Sequence, residues 1–173
     1  MGKKIMDTDL KTLAERVQQL EDVNAIKELK YRYLNACDEK DAQEVTHCFT
    51  DGRVDINYGF IGQFDNREDF VALYTRMACN DHIVDMHHAQ NPIIQITGAD
   101  SARGKVALRF FTINTNDKTC TQMAGHYDDE YKKIDGQWRI IKTHFTARTT
   151  EIKNHSGEYS KTVHAGHAPP PVS

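Results

Sequence analysis

The hydrophobic pattern of this chain changes period once, near Asn80, and that change limits the folds open to it more than any other feature. Before it, apolar residues recur at steps of three and four: Leu10, Leu13, Val17 and Leu20, then Ile26, Leu29, Tyr33 and Cys37. This spacing predicts a long helical start, broken near Asp22. Asp41 stands where it caps a short helix through Val45 and Cys48, and Asp51-Gly52 turns the chain into a strand over Arg53 to Tyr58. Asp65, with Glu68 three residues on, opens a further helix whose apolar face is Phe70, Leu73, Tyr74 and Met77. After Asn80 the pattern alternates. Ile83 to Thr97, Ala102 to Asn114, Thr119 to Lys133 and Gln137 to Thr149 read as strands. Pro92 marks a bulge or an edge in the first, and Asp135-Gly136 a tight hairpin between the last two. Helices first and hairpins afterwards predict an α+β fold, with helices on one face of a bent antiparallel sheet and a ligand pocket between the layers.

Several function classes are disfavoured by composition. Lys and Arg number 22 against 25 Asp and Glu, a net charge of −3, and no stretch concentrates positive charge, so nucleic acid is not an expected partner. No apolar run is long enough for a membrane span, and the basic start Met1 to Asp7 is not followed by the apolar core of a secretory signal, which predicts a cytoplasmic protein. Cys37, Cys48, Cys79 and Cys120 are widely spaced and read as free thiols. The tail from Glu151 to Ser173 has little periodicity. It reads either as a frayed terminus or as a segment packed on the body or on a neighbouring subunit.

The stretch Ala25-Ile26-Lys27-Glu28-Leu29-Lys30-Tyr31-Arg32-Tyr33, ending at Asp38, with Gly125-His126-Tyr127-Asp128-Asp129-Glu130-Tyr131 and Asp135-Gly136-Gln137-Trp138-Arg139-Ile140 far downstream, resembles the SnoaL-like branch of the nuclear transport factor 2-like superfamily. Within that branch it is most similar to bile-acid 7-alpha-dehydratase, and more distantly to hexachlorocyclohexane dehydrochlorinase and scytalone dehydratase. The resemblance implies a cone-shaped α+β barrel over residues 1–150, its N-terminal helices packed inside a curved antiparallel sheet, followed by a tail over 151–173. It also implies a homotrimer, preferred over a dimer. Fold alone does not fix activity here, because the superfamily also contains isomerases, cyclases and non-catalytic binders.

In the dehydratase and dehydrochlorinase relatives a helix carboxylate pairs with a strand histidine, and the matching residues are Asp38 and His87. Tyr33 matches a functional tyrosine of the bile-acid enzyme. Read without the resemblance, Asp38 is a solvated residue near a helix end or a carboxylate in need of a cationic partner, and His87 an ordinary sheet histidine or a base aimed into the pocket. An aspartate that takes the N–H of one ring nitrogen leaves the other free to abstract a proton. Leu108, Phe110 and Met123 would line an apolar pocket suited to an aromatic or polycyclic substrate. Phe110 stands where the bile-acid enzyme has a further carboxylate, and its arginine aligns with Ala147, so Arg148 serves in substrate binding only if a bulge shifts the strand. His144 is an equal candidate for that role.

His82, Asp85, His87 and His88 cluster, but His87 and His88 point to opposite sides of a strand, so no metal is expected. No cofactor is expected either. These residues predict a cofactor-independent lyase of the dehydratase or dehydrohalogenase type, acting on a small apolar molecule. An isomerase or cyclase using the same base, and a non-catalytic ligand-binding or accessory subunit, are the competing readings.

Overall fold

The structure, a computed structural model, describes residues 2–167. Helix α1 (Gly2–Glu39) is followed by α2 (Ala42–Cys48), β1 (Arg53–Asn57), a 3-10 turn (Gly59–Ile61), β2 (Gln63–Asn66) and α3 (Arg67–Ala78). The second half is β3 (Ile83–Gly98), β4 (Ser101–Asn114), β5 (Thr119–Ile134), β6 (Gln137–Asn154) and β7 (Lys161–Gly166).

The helix runs unbroken through Asp22, against the expected interruption. Asp22 is buried, and its Oδ1 accepts hydrogen bonds from Trp138 Nε1 at 3.0 Å and Gln18 Nε2 at 3.4 Å, with Lys133 Nζ at 2.5 Å. A carboxylate satisfied by the sheet has no reason to unwind the helix that carries it. Burial works to raise its carboxyl, but the bonds from Lys133 and Trp138 outweigh it and hold the group below the usual carboxylate range. At the other end Lys40 turns left-handed (φ 62°), and Asp41 then caps α2 by accepting from Glu44 N at 2.9 Å. The cap of α3 falls one residue later than expected: Asn66, the last residue of β2, accepts from Asp69 N at 2.8 Å, while Asp65 lies within β2.

Sheet order is β2-β1-β6-β5-β4-β3, with β7 paired to the distal half of β6. The expected cone-shaped antiparallel barrel is corrected on two counts. The sheet is mixed, because β1 pairs parallel with β6 (Asp55 with Lys142, Asn57 with His144). It is also open, with β2 and β3 as its two edges and no pairing between them among the described residues. Strands β1 and β2, five and four residues long, form the short edge hairpin of the sheet. Helix α1 packs on β3 and α3 on β2, so helices fill the opening that hydrogen bonds would otherwise close.

The meander follows the alternation closely. Pro92 sits in a register shift between Gln90 and Ile93 with Asn91 left-handed (φ 49°), and Asp135 and Gly136 both take positive φ, the two-residue hairpin geometry. The tail packs on the body through residue 166: β6 continues to Asn154 and β7 folds back along it, Thr150 opposite Gly166. Residues 168–173 lie outside the described part. All four cysteines are free, Cys37 and Cys48 fully buried. Ile26, Leu29, Leu34, Ile56, Val106 and Ile140 form the centre of the core between α1 and the concave sheet face.

Candidate active site

Asp38 lies in the last turn of α1, on the side turned toward β3. Its Oδ1 stands 2.6 Å from His87 Nδ1, and its Oδ2 accepts from the His87 backbone N–H at 2.9 Å. One carboxylate therefore fixes both the ring and the main chain of the histidine. With Asp38 ionised, Nδ1 carries the proton and Nε2 points away from the pair. The His87 ring lies 4.5 Å from the Phe110 ring, its cross-strand neighbour on β4, which limits its rotation.

His87 forms part of the wall of a cavity of about 560 Å³ enclosed by both layers. Tyr33 and Cys37 come from α1, Phe70, Leu73 and Met77 from α3, Leu108 and Phe110 from β4, Met123 and Tyr127 from β5, and Phe145 from β6. Gly125 has no freedom to be anything larger: a Cβ there would lie 2.6 Å from the Phe145 ring, which crosses β5 at that point to reach the cavity. The Cys37 thiol is pushed up to about 12 by burial, so it stays protonated and is no nucleophile at neutral pH.

Across the cavity floor the Tyr33 and Tyr58 hydroxyls meet at 2.8 Å, both nearly sealed from solvent. Burial drives both phenols well up, so each remains a hydrogen-bond donor at any accessible pH. Beneath them Lys30 is wholly buried, 3.0 Å from Asp129 and with its Nζ 3.4 Å from the centroid of the Tyr127 ring. Burial lowers the Lys30 ammonium and the Asp129 charge opposes that fall. Tyr131 donates to Asp129 at 2.7 Å and closes the cluster. Near the other end of the cavity Asp85, two residues before His87 on the same strand face, pairs with Lys40 at 2.6 Å.

A family model for the SnoaL-like domain matches residues 18–144. The chain belongs to the SnoaL-like family. The same architecture is found in a hexachlorocyclohexane dehydrochlorinase, LinA type 3 from Novosphingobium barchaimii LL02, at 18% identity, covering 90% of this chain and 99% of that one with a TM-score of 0.69. The type 2 LinA enzyme gives 18%, 90%, 98% and 0.71. A protein of Novosphingobium aromaticivorans DSM 12444 provisionally named a scytalone dehydratase gives 16% identity, 84% and 95% coverage and a TM-score of 0.71. At these identities the likeness is one of fold.

In this SnoaL-like chain His87, Tyr33, Leu108, Phe110 and Met123 line one cavity, and Asp38 joins them through its bond to the His87 ring. Arg148 and His144 do not join them. The bulge on which Arg148 depended is present: Ala124 faces Thr149 and Gly125 faces Ala147, leaving Arg148 as the extra residue. That residue faces out, and the shift in parity turns Thr150 and Ile152 inward instead. His144 precedes the inward Phe145, so it faces the other way and bonds Asp55 at 2.7 Å. Sequence reasoning missed Tyr58 and Lys30. Lys30 had a signal, being a cation set between Ile26, Leu29 and Tyr33 on an apolar helix face; Tyr58, at the end of a strand, had none.

Among the described residues no helix is long and apolar enough to cross a membrane.

Proposed function

We propose that this SnoaL-like protein is a cofactor-independent lyase, which takes a proton from a carbon of an apolar, aromatic or polycyclic substrate and expels a hydroxyl or halide from the neighbouring carbon. The observation that carries the reading is the 2.6 Å contact between Asp38 and His87 on the wall of an apolar cavity. Asp38 holds the tautomer whose Nε2 lone pair is free, and it stabilises the imidazolium formed when that nitrogen takes a proton. The C–H bonding pair becomes the new double bond, and the leaving group departs with its own pair. Tyr33, partnered by Tyr58, donates a hydrogen bond to the departing oxygen or to a substrate carbonyl. Because burial keeps both phenols protonated, the proton that a departing hydroxide needs comes back from the His87 imidazolium. Leu108, Phe110 and Met123 hold the hydrocarbon part of the substrate. Arg148 and His144 take no part.

The names of the dehydrochlorinase and the scytalone dehydratase, both eliminations, support the reaction class. Free thiols at all four cysteines suit a protein kept in the reducing cytoplasm. The test is the mass of the product together with the variants His87→Ala and Asp38→Asn. Loss of water or acid, abolished by His87→Ala, is the expected result. An unchanged product mass would make the same base an isomerase or cyclase, and ligand binding without turnover would make the protein a carrier.

The homotrimer belongs to the same reading. The outer face of β4 leaves Ala107, Phe111 and Ile113 only half-buried, and Val84 and Met86 on β3 are about half exposed beside them, an apolar surface for a second copy. A monomeric body by light scattering would remove the trimer.

A further inference from the structure

The apolar positions of α1 form two stripes on opposite sides of the helix. Ile26, Leu29 and Tyr33 are buried against the sheet, whereas Leu10, Leu13, Val17 and Leu20 are 58%, 55%, 45% and 71% exposed. Val17 and Ile26 are nine residues apart, as are Leu20 and Leu29, and nine residues at 3.6 per turn are two and a half turns. The first stripe therefore faces directly away from the body, and every residue from Asp9 to Glu21 is exposed. An unsupported helical segment of that length is marginal in water, and four large apolar side chains along one line are a poor surface to leave open.

We propose that residues 10–24 of α1 pair in parallel with the same segment of a second copy as a short two-stranded coiled coil, an assembly independent of the lyase reading. The steps of three, four and three put Leu10, Val17 and Asn24 at one heptad position and Leu13 and Leu20 at the other, the seam a matching helix fills by knobs-into-holes packing. A β-branched Val17 between Leu13 and Leu20 favours two strands. The next seam residue, Asn24, meets its twin only in a parallel pair; an antiparallel pair sets it against the apolar Leu10 end. Flanking charge agrees, since Arg16 of one strand lies beside Glu21 of the other in the parallel register. The seam spans about 21 Å at 1.5 Å per residue, and it lies on the side of α1 away from the residues buried against the sheet.

The experiment compares the intact protein with the double variant Val17→Asp, Leu20→Asp by light scattering from micromolar to hundreds of micromolar concentration. Both substitutions are on exposed positions, so the thermal unfolding of the body is expected to be unchanged. The expected result is a particle mass that is halved in the variant, whatever assembly the bodies make by themselves. A second measurement oxidises Leu20→Cys and Gln19→Cys, the latter on the opposite side of the helix. Leu20→Cys is expected to give a disulfide-linked pair, and Gln19→Cys to give no more than the unmodified protein. Equal masses, a fall to one third, or equal cross-linking of the two cysteine variants would each overturn the proposal.

Discussion

The Asp38 carboxylate bonds the His87 ring at 2.6 Å through one oxygen and the His87 backbone N–H at 2.9 Å through the other, so helix α1 and strand β3 are tied at the residue proposed as the base. The arrangement sets tautomer, ring direction and strand position with a single side chain. Asp38→Asn preserves the shape but presents an NH₂ donor where Nδ1–H needs an acceptor, which favours the tautomer with Nε2 protonated. For any substrate turned over by the unaltered protein, kcat/KM should fall about 10²- to 10⁴-fold with little change in melting temperature. A loss of less than a few fold would detach Asp38 from the mechanism.

The two buried phenols depend on each other. Tyr33→Phe leaves the Tyr58 hydroxyl without the partner it has at 2.8 Å, and Tyr58→Phe does the converse, each at an expected cost of about 1–3 kcal/mol. The double variant should be less destabilised than the sum, because no orphaned hydroxyl remains. A denaturant double-mutant cycle reads the coupling, and strict additivity would show that the pair does not act as one.

Lys30 and Asp129 form a wholly buried ion pair capped by the Tyr127 ring and by Tyr131. Lys30→Met leaves the Asp129 charge uncompensated and should cost about 3–5 kcal/mol. Adding Asp129→Asn removes that charge while keeping an acceptor for Tyr131, and should recover most of the loss. Chemical denaturation of the two variants checks this; a double variant no more stable than Lys30→Met would show that the charge is not the cause.

Asp22 ties α1 to the far hairpin through Trp138 and Lys133. Its folded carboxyl is held below its unfolded value, so the stability it contributes is present above about pH 4 and is lost as pH falls through the folded value. Asp22→Asn should lower the melting temperature at neutral pH and bring the two proteins together at low pH. Melting curves between neutral pH and pH 2 test it, and a gap independent of pH would contradict the assignment.

Local chemistry made most of the strands legible, whereas the pairing of Asp38 with His87 was legible only through the family resemblance. Asp41 and the Asp135-Gly136 turn are short-range signals, and alternation carries strands as long as β4 and β5 without help from elsewhere. What the sequence hid depends on distant partners. The parallel pairing of β1 with β6 leaves no trace in either strand, and β7 has too few apolar residues to announce itself. The apparent single stripe of α1 divides at the six-residue step from Leu20 to Ile26, a break in helical spacing that marks the change of face. At Arg148 the bulge was foreseeable but its direction was not, since the inward parity of β6 is restored by Thr150 and Ile152 rather than by the extra residue.

The central claim is that His87 removes a proton from carbon and that a neighbouring group leaves. Mass spectrometry of the products formed from a panel of apolar hydroxylated and halogenated compounds, with unaltered protein and His87→Ala side by side, tests it most directly. The expected product is lighter than its substrate by one water or one hydrogen halide, formed by the unaltered protein and not by His87→Ala. A product of unchanged mass, equal product from both proteins, or binding of panel compounds in the cavity without any turnover would contradict it.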